Sequence, residues 1–112
     1  VQYVRGGVAQ KPVLLPERDL RDMNYLIVGT AVERSLFTAV GGFRLWPHGF
    51  EDWDLWCRCV KGGARVARVP DAVYVAHVND DSKMNARRRT DRDEELRIFH
   101  EVRRDLYPDL YP

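Results

Sequence analysis

The sequence predicts an α/β domain built as a small mixed sheet with flanking helices. Short β-rich apolar runs alternate along the chain with segments whose apolar residues recur at helical spacing. Glycine pairs and prolines punctuate these segments. Apolar residues make up 45% and charged residues 31% of 112, a balance that fits a packed core rather than disorder.

Residues 1–5 read as a short strand, ended by Gly6-Gly7, and residues 13–15 as another, closed by Pro16. The charged stretch 17–22 leads into Tyr25-Leu26-Ile27-Val28, a short β-rich run ending at Gly29 and therefore a buried strand. Residues 32–40 follow as a short helix, with Val32, Leu36, Ala39 and Val40 on one face and Gly41 as its stop. Residues 42–50 form a loop that carries Trp46, Pro47, His48 and Gly49. The next helix begins near Glu51, and Trp53, Trp56, Cys57 and Val60 at i, i+3, i+4 and i+7 turn to the core. Gly62-Gly63 ends it. Strands are expected over 65–69, stopped by Pro70, and over 73–78, before a polar turn at 79–83. The last helix runs over about 90–106, with Thr90 as N-cap, Asp91 and Asp93 in the first turn, and Leu96, Phe99, Val102 and Leu106 as its stripe. Pro108 ends it. The whole chain, 1–112, reads as one domain: a core over 1–83, then a C-terminal amphipathic helix and tail over 84–112.

A net charge of +1 gives no global drive toward nucleic acid or membrane. Arg87-Arg88-Arg89 is followed at once by Asp91, Asp93, Glu94 and Glu95, which argues against a nucleic-acid surface. No apolar run reaches the length of a membrane span. Cys57 and Cys59, two apart on a helix, point to different sides and read as small packed thiols, not as a bridge or a zinc site. So few cysteines suit a reducing, cytoplasmic setting.

The informative segment is Gly41-Gly42-Phe43, then Glu51-Asp52-Trp53-Asp54-Leu55-Trp56 and Arg58. Three carboxylates stand within four positions at the mouth of a helix, next to a loop rich in aromatics. A carboxylate there is held in place and kept ionised by the helix dipole. An ionised, oriented carboxylate is a competent general base for a hydroxyl. Indole faces suit the apolar faces of sugar rings. The same acids also complement the dipole and serve as ordinary helix-start residues, and Asp54 with Arg58 forms an i,i+4 ion pair.

Over residues 24–77 the chain resembles family 2 glycosyltransferases, enzymes with the GT-A fold. The resemblance rests on Val32-Glu33-Arg34-Ser35-Leu36-Phe37, Val40-Gly41-Gly42-Phe43, the run from Glu51 to Trp56 with Arg58, Gly63 before a strand, Val69-Pro70, and His77 after a strand. It implies an inverting transfer of a sugar from a nucleotide-diphosphate sugar to an acceptor hydroxyl, with Asp52 as the base and Glu51 orienting the acceptor. Gly41 and Gly42 would let the backbone approach the donor sugar. Trp46, His48, Phe50, Trp53 and Asp54 would line the acceptor and donor pocket, although Phe43 reads as packing and Asp54 also as a partner of Arg58. His77 and Lys83 are the candidates for contact with metal or diphosphate.

The resemblance covers the acceptor-side half only. The family's nucleotide-binding first half, and the Asp-x-Asp motif that holds a divalent cation (Mn or Mg) on the diphosphate, have no counterpart here. Asp52-Trp53-Asp54 belongs to the base motif, and Asp91-Arg92-Asp93 lies in the last helix. The chain therefore reads as a partial GT-A fold that begins just downstream of the donor site. Taken alone, it is expected to bind no cation tightly and to turn over little. Its expected partners are the nucleotide-sugar donor, a glycan or other hydroxyl acceptor, and either the missing half or a second copy joined through exposed sheet edge. The competing expectation is a carbohydrate-binding or protein-interaction module that kept the fold and lost catalysis.

Overall fold

The computed structural model describes residues 1–13, 16–46, 49–78 and 92–112. The elements in chain order are β1 (Gln2–Arg5), β2 (Val8–Ala9), α1 (Arg34–Ala39), α2 (Glu51–Lys61), β3 (Val75–His77) and α3 (Arg92–Leu106). A short 3-10 helix, Pro108–Leu110, follows. The class is mixed α/β, with one open three-stranded sheet in the order β2-β1-β3.

Gly6 and Gly7 both take positive φ, 55° and 77°, the requirement for a tight two-residue hairpin turn. The turn pairs β1 with β2 antiparallel, Val4 opposite Ala9. β3 returns parallel to β1, with Gln2 beside Val75 and Val4 beside His77. The crossover between them carries α1 and α2, as a parallel connection requires.

The core lies on the helices. Trp53, Leu55, Trp56, Cys57 and Cys59 of α2 are buried with Ile98, Val102 and Leu106 of α3, and Leu20 closes the cluster. Trp53 stacks on Phe99 at 4.6 Å and 9°, and its indole N–H donates to the Leu20 carbonyl at 2.7 Å. Apolar burial thus anchors α2 through its largest side chain, and the polar end of that side chain finds a partner.

Several expected elements differ. Tyr25 to Ile27 is half-buried but forms no strand, and Val28 is 62% exposed. Asn24 Oδ1 accepts from the Leu26 N–H at 3.2 Å, and the Thr30 N–H turns back to the Ile27 carbonyl at 3.0 Å. These local bonds take backbone groups that a ladder would need. Residues 65–69 are exposed coil, and no strand among the described residues pairs with them. Val13 bonds to Val1 in both directions yet is not strand, and Leu14 and Leu15 lie outside the described residues. On α2, Val60 is exposed, while both cysteines are buried and free because packing covers the helix on more than one side. On α3 the buried stripe is Ile98, Val102 and Leu106, and Leu96 is 55% exposed. Residues 79–91, with Thr90 and the arginine run, lie outside the described residues.

Candidate functional site

Phe50 stands immediately before α2 with φ 64° and ψ 11°, the only described non-glycine residue with positive φ. Its carbonyl accepts the Asp54 N–H at 2.9 Å, the first bond of the helix. Its ring packs edge-on against Trp53 and Phe99, at 6.0 and 6.1 Å. Core packing holds the strained backbone in place, and Glu51 and Asp52 are set by it.

Asp52 is half-buried. One carboxylate oxygen accepts the Trp53 N–H at 2.9 Å, and the other accepts the Asn24 side-chain amide at 3.2 Å. Each oxygen accepts two bonds at most, so the group is oriented without being saturated. Glu51 is half-buried, and its Oε2 is shut off from solvent with no partner among the described residues.

Asp54 differs from its neighbours. It is fully buried, chelated by the guanidinium of Arg44 and by that of Arg58 one turn along, at 2.9 Å for the latter. Arg44 also reaches Asp105 on α3 at 2.7 Å, and Arg58 donates to the carbonyls of Val40 and Gly42 at 2.6 Å each. The Asp54 hydrogen bond, opposed by burial and reinforced by Asp105, pushes the Arg44 pKa up, so its charge is permanent.

Two pocket assignments are therefore corrected. Trp53 has no exposed surface and its only polar atom is bonded to Leu20, so it is core and not a sugar platform. Asp54 has no exposed surface and both its oxygens are taken, so it faces two arginines and not a ligand. The Arg58 pairing expected from spacing is present.

Of the other candidates, Gly41 (φ 87°) and Gly42 (φ 68°) close α1. A Cβ on buried Gly42 would meet the Phe37 ring at 3.1 Å. Both glycines thus have a local structural reason. Trp46 is half-buried beneath the Arg44 guanidinium at 5.4 Å, its indole N–H buried and unpartnered among the described residues. Phe43 packs edge-on against Phe37 at 5.7 Å. His77 is exposed on β3, in the sheet and not on α2. His48 and Lys83 lie outside the described residues.

Asn24, Arg44 and Asp105 escaped sequence reasoning. Asn24 meets Asp52 from 28 positions away and Arg44 meets Asp54 from 10, while Asp105 binds Arg44 from 61. A lone arginine in an aromatic loop was the one local signal. An open groove of about 1360 Å³ runs past Tyr25, Leu26, Val32, Leu36 and Trp56, and neither Glu51 nor Asp52 lines it. Among the described residues no group of three or more His, Cys, Asp or Glu could hold a metal ion, and no helix is long and apolar enough to cross a membrane. No family model, curated protein or solved structure matches this chain.

Proposed function

We propose that this chain is the acceptor-side half of an inverting family 2 glycosyltransferase of the GT-A fold, with Asp52 as the general base. The observation that carries the reading is the contrast within one motif. Asp54 is spent on two arginines, whereas Asp52 is half-exposed, oriented at both oxygens and able to accept another bond. That is the state a base needs before an acceptor arrives.

In the proposed step the acceptor hydroxyl oxygen attacks the anomeric carbon as its proton passes to Asp52. The bond from that carbon to the diphosphate oxygen breaks, the electron pair leaves with the nucleoside diphosphate, and attack from the opposite face inverts the centre. Glu51, next to the acid, and Trp46 each carry a buried side-chain polar atom without a partner among the described residues. The residues described here do not form a site for the divalent cation that the resemblance implies, so no step is assigned to it. Donor binding belongs to the nucleotide-binding half.

The test is sugar transfer from a panel of nucleotide-diphosphate sugars, with the nucleotide-binding half supplied. Asp52→Asn is expected to lower kcat by about a hundredfold to ten-thousandfold while the fold is kept. Undiminished transfer by that variant overturns the base assignment.

The groove supports a second reading, a carbohydrate-binding or protein-interaction module, because neither Glu51 nor Asp52 lines it. Glycan binding that survives Asp52→Asn, with no transfer under any donor, favours it. Pairing through the open sheet edge, with the missing half or a second copy, is the partner contact proposed for either reading.

A further inference from the structure

We propose that Asp54 is a positioning residue. Its buried carboxylate, acting through Arg44 and Arg58, clamps the loop of residues 40–46 onto α2 and fixes where the turn carrying Glu51 and Asp52 stands. The functional consequence rests on the reading of Asp52 as the base, but the clamp itself is geometry.

Asp54 is the one charged side chain fully buried among the described residues. An acid that only complements a helix dipole gains nothing from burial, since a water-facing position serves equally well. Burying a carboxylate is costly unless it is paired, so the position is explained by what its partners do. Arg58 comes from α2 itself. While bound to Asp54 it donates to the Val40 and Gly42 carbonyls, which are left without helical partners at the end of α1. Arg44 comes from the loop, grips both Asp54 oxygens, reaches Asp105 on α3 and covers the Trp46 ring. One carboxylate thus joins the end of α1, the loop, α2 and α3. Two arginines and two aspartates balance in charge, so removing the central acid leaves two guanidinium groups facing each other.

The loop leads from this clamp to Phe50. A residue with positive φ persists only where its surroundings over-determine it. Ring packing on Trp53 and Phe99 supplies one constraint, and the clamp is the second in this proposal.

Amide hydrogen exchange, read by mass spectrometry on the full chain, tests this without any need for turnover. In Asp54→Asn, amides of residues 41–46, 49 and 50 are expected to exchange about tenfold faster, while those of α3 stay within about twofold. Arg44→Ala, at a partly exposed position, is expected to release the same loop even where Asp54→Asn fails to fold, and methylguanidinium is expected to restore protection. Unchanged loop exchange in Arg44→Ala, equal acceleration across α3, or no rescue by methylguanidinium each overturns the clamp. In a transfer-competent protein, Arg44→Ala is expected to lower kcat about tenfold to a hundredfold with donor KM unchanged, and methylguanidinium to recover it. Loop release with unaltered kcat overturns the positioning role. Loop release in a protein whose wild type transfers no sugar leaves the clamp standing and removes the reading of Asp52.

Discussion

The helical pair α2–α3 and the sheet β2-β1-β3 are packed to different standards. Eight of the nine core residues sit on the two helices and none on a strand. The strands hold two to four residues each, and every strand residue is exposed or half-buried. Large apolar area removed from water stabilises the first region. Backbone pairing with little side-chain burial holds the second, and it is worth much less. The carboxylate motif is attached to the rigid region, and its proposed chemistry needs that rigidity.

Trp53→Ala should make this contrast largest. Loss of the stacked indole and its bond to Leu20 is expected to cost about 3–5 kcal/mol in urea unfolding. A cost near that of an ordinary surface change would show that the helical pair is not the stability centre.

Alkaline pH acts on the same core. Burial, partly offset by a hydrogen bond from Tyr107, pushes the Cys57 thiol up to about 11 from an ordinary 9.0. Burial also pushes Tyr107 up, and its bond to Cys57 adds to this. The folded state keeps these protons longer than the unfolded chain. The contribution is complete below pH 9 and lost as pH rises through 11, roughly 2–3 kcal/mol for Cys57. Urea midpoints should fall between those pH values, and the slope should be shallower in Cys57→Ala. A flat profile in wild type would place the thiol in contact with water.

Gly42→Ala tests the joint between α1 and the loop. Positive φ and the approach to Phe37 together are expected to cost about 1–3 kcal/mol, read from the thermal midpoint. The smallest effect belongs to the sheet. Val75→Thr, on an exposed strand position, is expected to change stability by less than about 0.5 kcal/mol. A cost above 1 kcal/mol would mean that the strand is covered in solution.

Local signals were legible. Gly6-Gly7, Gly41 and Gly62-Gly63 mark real ends of elements, and the apolar spacing of 53, 56 and 57 marks a real buried face. The strands expected over 25–28 and 65–69 were not legible, because apolar, β-branched composition does not say whether a neighbour is present to pair with. In the site, the mouth of α2 could be read from order and spacing. The division of labour among its acids could not, since Asp52 and Asp54 are chemically identical and differ only in what the fold brings to them.

By itself the sequence determined the helix that starts at Glu51, its tryptophan anchors, its glycine stop and the i,i+4 pair of Asp54 with Arg58. These depend on neighbours within one or two turns. Only the tertiary structure decided that Arg44 would reach Asp54, that Asp105 would bind the same arginine, and that Asn24 would reach Asp52. Contacts across tens of residues depend on chain closure and packing, which no local pattern encodes.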